Sequence, residues 1–300
     1  MVHDVRSQRR SERAAASGIA YAVAAFASWG VLPLYWKQLE GYPALVLLAY
    51  RFAASALFMA AYLSAVHRWD FVRSSFRNPR MAGGLFLASL LIAVNWGVYI
   101  WAVEKGHVLD ASLGYYINPL VSVALATLFL GETLTRPQVY GIALAAAGVL
   151  LMAVEAHVAP WVSLLLAFSF GFYGLLKKVL QADARASIFL ETIYLTPIVL
   201  AYLFWVGPSA APETVADVFW LAGAGVVTAL PLLWFSEAAR RIPLTWIGFI
   251  QYLAPTLKFF LGVFVFHEPL GPGRLVGFVL VWAAVAVFAL GSRVSEAAEE

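Results

Sequence analysis

The chain of 300 residues contains no cysteine. That single absence removes disulfides, thiolate metal ligands and cysteine nucleophiles together. Charge is also scarce. Asp, Glu, Lys and Arg make up 12% of the residues, against about a quarter in ordinary soluble domains. The 20 cations and 17 anions are too few to cover the surface of a globular protein this size. The five histidines (His3, His67, His107, His157 and His267) fall in tails or at the ends of apolar runs. None forms an i, i+4 pair or an H-E-x-x-H motif, so no metal site is expected. There is no P-loop for a nucleotide and no pair of carboxylates within an apolar run for acid–base chemistry. No cofactor is expected, and enzyme chemistry finds little to stand on. What fills the chain instead is apolar: 62% hydrophobic residues, including 21 Phe, 13 Tyr and 11 Trp. So many aromatics exclude a disordered chain, and the composition as a whole is that of an integral membrane protein.

The apolar runs divide at polar breaks into ten expected spans, at 17–36, 43–66, 81–103, 108–130, 137–154, 158–176, 187–206, 216–236, 243–266 and 273–291. The runs are continuous rather than alternating, which argues for helices and against a β-barrel. The fold class is therefore all-α, a polytopic membrane protein of about ten transmembrane helices. Residues 1–16 and 292–300 are read as polar tails, the first without the short apolar core and cleavage site of an export signal.

The cations sort by side. Arg6, Arg9, Arg10, Arg13, Arg68, Arg73, Arg77, Arg80, Arg136, Lys177, Lys178, Arg185, Arg240, Arg241 and Arg293 lie in segments on the side of the N-terminus, whereas Lys37, Lys105 and Arg274 lie on the other. Cytoplasmic loops carry the Lys/Arg excess. Both termini are thus expected in the cytoplasm, with the chain multi-pass in the cytoplasmic (inner) membrane. The net charge of +3 reflects orientation and gives no reason to expect a nucleic-acid partner. Two cations remain inside spans, Arg51 and Lys258.

The chain also repeats itself. Ser112–Met152 aligns with Gly248–Phe288 at a constant offset of 136, which matches Tyr116 with Tyr252, Pro119 with Pro255, Glu132 with Glu268, Leu134 with Leu270 and Gly141 with Gly277. Ser28-Trp29-Gly30 aligns with Ser169-Phe170-Gly171, and Lys37 with Lys178, at an offset of 141. Residues 17–154 and 158–291 then form two five-helix halves. Five is odd, so the second half enters the membrane from the opposite side. Inverted repeats of this kind are the architecture of alternating-access carriers, whose substrate sites lie near the midplane between the repeats.

The run Asn95-Trp96, Tyr99-Ile100-Trp101 and Ser112-Leu113-Gly114-Tyr115-Tyr116-Ile117-Asn118-Pro119-Leu120 resembles the RarD group of EamA-domain transporters, of the drug/metabolite transporter superfamily. Gly248-Phe249-Ile250-Gln251-Tyr252-Leu253-Ala254-Pro255-Thr256 is similar to the group's matching motif in the second half. The resemblance extends over nearly the whole chain, from Gly18 to Gly291. It implies an inner-membrane carrier of two inverted five-helix halves that moves amino acids, other metabolites or drugs. Tyr116 stands where the group has Phe, which adds a hydroxyl to an aromatic wall.

A charge at the centre of a membrane helix costs about 2.5–3.5 kcal/mol on insertion scales, so such residues face a cavity or a partner. Lys258, the deepest charge, and Arg51 are candidates to meet an anionic substrate group; snorkelling to the interface is the alternative for each. Asn95, Asn118 and Gln251 are candidate hydrogen-bonding groups of the cavity, with interhelical bonding as the plainer reading. Trp96, Tyr115, Tyr116 and Tyr252 are candidates for its ring surface. Pro119 and Pro255 are candidate helix breaks. Glu191, within one turn of the cytoplasmic end of its span, is the coupling candidate for protons or a counter-ion. Glu132 and Glu268 are expected to cap the last helix of their halves. The small stripes Ala20/Ala24/Ser28 and Gly273/Gly277 suit close packing within the chain or in a homodimer.

The function these features favour is a secondary carrier of a small organic metabolite or drug, with proton coupling open. A membrane enzyme acting on a lipid-linked substrate would need carboxylates or histidines clustered at one face. An interaction subunit without cargo would lack a central hydrated cavity.

Overall fold

The computed structural model describes residues 2–105, 108–156, 160–267 and 271–298. Twelve α-helices follow one another: α1 (Val2–Trp36), α2 (Ala44–Ala65), α3 (Trp69–Arg77), α4 (Pro79–Glu104), α5 (Val108–Leu130), α6 (Arg136–Ala156), α7 (Pro160–Leu180), α8 (Ala184–Val206), α9 (Val215–Arg241), α10 (Leu244–Ile250), α11 (Leu253–Phe264) and α12 (Pro272–Ala298). Among the described residues there is no strand. Ten segments are long and apolar enough to cross a bilayer, with α10 and α11 together making one of them. The chain is a multi-pass, all-α membrane protein.

Two features depart from the expected outline. The segments read as tails are helical: α1 begins at Val2 and α12 continues to Ala298. Neither Gly nor Pro interrupts the chain before Gly18, so nothing stops the helix of the first span from extending backwards. The second departure is α3, a short amphipathic helix in the connection between the second and third spans. It buries Val72 and Ser75 and sets Trp69 edge-on to Phe189 at 5.1 Å. The Arg68 guanidinium lies 4.0 Å over Phe71. A cationic rim on an aromatic face is how a helix lies along a membrane surface.

The ninth span is broken, at one of the two prolines read as candidate helix breaks. Pro255 has no N–H to give the Gln251 carbonyl. Ala254 N–H takes that carbonyl at 3.2 Å, and Tyr252 N–H bonds Phe249 O at 3.2 Å. Both are i→i−3 bonds, which tighten the backbone locally. The span is thereby split between Ile250 and Leu253. Pro119 does not have this effect, and α5 runs unbroken through it.

Helix contacts come in exchanged pairs. α1 packs on α9, and α7 packs on α4; α5 packs on α7, and α11 on α1; α2 meets α8, and α6 meets α12. Glycines permit the closest approaches. A Cβ on Gly30 would sit 2.7 Å from Leu257 Cβ, and one on Gly171 would sit 2.8 Å from Val121 Cγ1. At the α6–α12 contact, a Cβ on Gly141 would lie 3.1 Å from the Ala284 carbonyl oxygen, and one on Gly277 3.0 Å from that of Gly148. The Ala20/Ala24/Ser28 stripe, by contrast, is only partly covered inside the chain, with Ala24 and Ser28 half-buried. Ala20 is exposed, and α1 buries Gly18, Ala22, Ala25 and Phe26 instead. Gly277 does pack inside the chain, 2.5 Å from Met152 Cγ by the same measure.

Overpacking a tight contact costs about 1–3 kcal/mol. Gly277→Leu is therefore expected to lower the thermal unfolding midpoint in detergent by several degrees. Gly97→Ala, at a position where a Cβ meets nothing within 4 Å, is expected to leave it unchanged or slightly raised. An unaltered midpoint for Gly277→Leu would contradict the α6–α12 packing.

Candidate functional site

A cavity of about 120 Å³ lies where α1, α2, α4, α5, α7 and the broken α10–α11 segment converge. Its walls are aromatic: Phe26, Trp29 and Trp36 from α1, Trp96 and Tyr99 from α4, Tyr115 from α5, and Phe170 from α7. Trp29 and Phe170, aligned by the 141-residue offset, meet edge to face at 5.6 Å. Below them, Phe170, Tyr173, Phe26 and Phe235 form a continuous ring cluster, with Tyr173 and Phe235 stacked at 5.8 Å. Into this apolar surround project Arg51, Lys258, Asn95, Asn118 and Gln251.

The two cations are held by rings. The Arg51 guanidinium lies 4.1 Å from the Trp96 ring centroid and 4.8 Å from that of Trp36, and its Nε donates to Thr228 Oγ1 at 3.2 Å. The Lys258 ammonium lies 4.2 Å over the Tyr115 ring. Cation–π contacts of this kind contribute about 0.5–2 kcal/mol. They leave the charge itself unneutralised. No acidic side chain lines the cavity among the described residues, and neither cation has an ion-pair partner there.

The amides are largely committed. Asn95 Nδ2 donates to Leu166 O at 2.8 Å and Ser169 Oγ at 3.0 Å. Asn118 Nδ2 donates to Ala167 O at 3.2 Å, while its Oδ1 accepts from Ser122 and from Gln251 Nε2. The Asn118–Gln251 bond thus joins α5 to the break between α10 and α11. Gln251 Oε1 is buried without a partner among the described residues, so it is an acceptor available to a bound molecule.

Seven of the nine residues expected to surround a cavity therefore line it: Arg51, Asn95, Trp96, Tyr115, Asn118, Gln251 and Lys258. Tyr116 and Tyr252 do not. They pack among Leu113, Val149, Met152 and Phe278. Tyr116 Oη donates to Pro255 O at 3.3 Å, and Tyr252 Oη to Tyr116 O at 3.4 Å. The extra hydroxyl of Tyr116 thus ties helices together. Pro255 lines the cavity; Pro119 instead presents its carbonyl to Gly248, 3.0 Å from a Cβ built there. Trp29, Trp36 and Tyr99 were not expected there. Only Trp29 and Tyr99 carried a signal, the first in the repeat match and the second in the Tyr99-Ile100-Trp101 motif.

Glu191 sits apart from the cavity. It is 2% exposed and Lys177 is 4% exposed. The two form an ion pair between α7 and α8. Tyr173 Oη donates to Glu191 Oε2 at 2.9 Å, and Ser187 Oγ to Oε1 at 2.6 Å. Lys177 is consequently not a solvated loop cation, as its place in the sequence suggested. The carboxylate needed a partner one helix away.

Glu132 is a further correction. It caps a helix, but not the last one of its own half. Gly131 ends α5 with φ 66°, in the left-handed region that glycine favours at a helix end, and Glu132 N–H returns to Ala126 O at 3.2 Å. The α6 start is served locally, since Gln138 Oε1 accepts from Thr135 N–H at 2.9 Å. The Glu132 carboxylate instead accepts from Leu244 N–H at 2.7 Å, Thr245 N–H at 2.9 Å and Thr245 Oγ1 at 2.7 Å. Pro243, at the start of α10, has no side-chain oxygen to cap with. Lys178 Nζ donates to Ile242 O at 2.7 Å beside it. Glu268 lies outside the described residues.

A helical bundle of ten apolar spans around an aromatic-walled cavity that holds polar groups is the frame of a transporter, and comparison with known proteins agrees. The EamA-like transporter family model matches twice, over residues 16–154 and 159–290. The uncharacterized transporter YojE of Bacillus subtilis is 47% identical over 276 residues, covering 90% of this chain and 93% of that protein. Protein RarD of Streptomyces exfoliatus is 43% identical over 282 residues, covering 93% and 90%. Protein RarD of Escherichia coli is 38% identical over 277 residues, covering 91% and 94%. A solved crystal structure shares the fold at a TM-score of 0.73 and 19% identity, covering 92% of this chain and 99% of its own. The chain belongs to the EamA-like transporter family and is of the RarD type. It is a membrane transporter of the drug/metabolite superfamily.

Removing one member of a buried ion pair costs about 3–5 kcal/mol because the other charge is left uncompensated. Glu191→Ala is expected to collapse the yield of folded protein, and Lys177→Met/Glu191→Met to recover much of it. Both are read by size-exclusion profile and thermal midpoint in detergent. A stable Glu191→Ala protein would show that Lys177 finds another partner.

Proposed function

We propose that this transporter is a secondary carrier working by alternating access, in which two inverted halves, 17–154 and 158–291, rock about the cavity. The observation that carries the reading is the placement of that cavity. Its walls come from both halves, α1, α2, α4 and α5 on one side and α7 and α10–α11 on the other, and they carry two cations with no carboxylate against them among the described residues. Three further observations support the inverted repeat: the family model matches each half, helix contacts occur in exchanged pairs, and Gly30–Leu257 has Gly171–Val121 as its counterpart at the sequence offsets. Rocking of one repeat against the other around a fixed site is how such architectures work.

The side sealed by Glu132, Lys178 and the Phe26–Phe170–Tyr173–Phe235 rings is the cytoplasmic side in this reading. The cation distribution supports cytoplasmic termini and residence in the cytoplasmic membrane, and that bias survives removal of Lys177 from the count. Glu191 remains the candidate for proton coupling, acting through its pair with Lys177. A homodimer has only the partly exposed Ala20/Ala24/Ser28 stripe to support it.

The test is uptake into proteoliposomes of compounds that raise the thermal midpoint of the purified protein. Lys258→Met is expected to cut that uptake by about tenfold or more, equivalent to roughly 1.4 kcal/mol, while leaving folded protein in the membrane. Unchanged uptake would remove Lys258 from the carrier mechanism. Equal rates with and without a pH gradient would remove proton coupling.

A further inference from the structure

The charged side chains that line the cavity among the described residues, Arg51 and Lys258, are both cationic. We infer that the transported solute is an organic anion with an aromatic or flat apolar body, its acid group received by Arg51 and Lys258. The inference rests on the carrier reading and names the substrate class for that site. Glu191 is spent on Lys177, Tyr173 and Ser187, so no carboxylate among the described residues neutralises the cavity charges. Thr228 takes one guanidinium N–H of Arg51, leaving the planar fork free for a bidentate oxyanion. The body of the solute follows from the walls. Trp29, Trp96, Tyr115 and Phe170 leave space on the scale of the ~150 Å³ cavities that admit benzene. A positively charged amine would meet two like charges in a low-dielectric enclosure with nothing to offset them. A neutral solute would fill the space but leave both cations unmet.

Equilibrium binding tests this without requiring transport. The full chain is placed in nanodiscs of phosphatidylcholine, whose zwitterionic headgroups supply no net anion, and titrated with phenylacetate, phenyl phosphate, phenylacetamide and phenethylamine. Tryptophan fluorescence and the thermal midpoint are the readouts, since Trp29, Trp36 and Trp96 line the cavity. Phenylacetate or phenyl phosphate is expected to bind about tenfold or more tightly than the neutral amide, in line with charge-assisted hydrogen bonding. The amine is expected not to bind. Whichever of the two anions binds better assigns the acid as carboxylate or phosphate ester. In Arg51→Met and Lys258→Met the advantage of acid over amide should shrink, with Arg51→Lys intermediate. Equal binding of acid and amide by the unaltered protein, or saturable binding of the amine, would overturn the inference even if both variants failed to fold. Anion binding without transport in proteoliposomes would overturn the carrier reading and leave standing the assignment of the cavity as a site for aromatic anions. Uptake of a neutral or cationic solute that survives both substitutions would do the reverse.

Discussion

Helices in a bilayer gain little by hiding leucine from lipid, because the tails are as apolar as the protein interior. What draws them together is close contact, and in this molecule close contact depends on glycine meeting a neighbour's backbone or branched side chain. Gly141 against the Ala284 carbonyl and Gly277 against that of Gly148 hold α6 and α12 together along one edge. Gly30 against Leu257 and Gly171 against Val121 set the distance between the first helix of each half and the fourth helix of the other. That second spacing leaves Trp29 and Phe170 facing one another and forms the floor of the cavity. The cavity is therefore a by-product of how near these helices can come.

The same solvent sets the terms for polar groups. With no water at hand, each buried donor and acceptor needs an internal partner, and most have one. Asn95 and Asn118 bind carbonyls of α7, Tyr116 and Tyr252 join α5 to α11, and Lys177 and Glu191 neutralise each other. Against that background, the charges of Arg51 and Lys258, unneutralised by any carboxylate among the described residues, and the unpartnered side-chain oxygen Oε1 of Gln251 share one cavity.

The spans were legible because hydropathy reports them directly; the expected 108–130 coincides with α5. The cavity residues were legible where depth and chemistry coincided, as at Lys258 and Asn118. Tyr116 and Tyr252 show the limit of that reasoning. They are neighbours in sequence of the cavity residues Tyr115 and Gln251, but successive helical positions are rotated by about 100°, and a motif does not say which face looks inward. Glu191 and Glu132 mark a second limit. A carboxylate's partner is a matter of tertiary contact, and Glu132 found its amides 112 positions away. α3 was missed because nine residues with several arginines leave no hydropathy signal, only an amphipathic one.

The Glu132 cap also bears on how the molecule is made. Its carboxylate emerges with the first half of the chain, whereas the Leu244 and Thr245 amides that it binds are synthesised more than a hundred residues later. Until then the first half has an anion at its edge with nothing to hold, and the later half brings a helix whose own leading residue, Pro243, cannot cap it. Each half is thus born incomplete in a way that only the other repairs. The lock between the two halves can close only once residues 244 and 245 have been made.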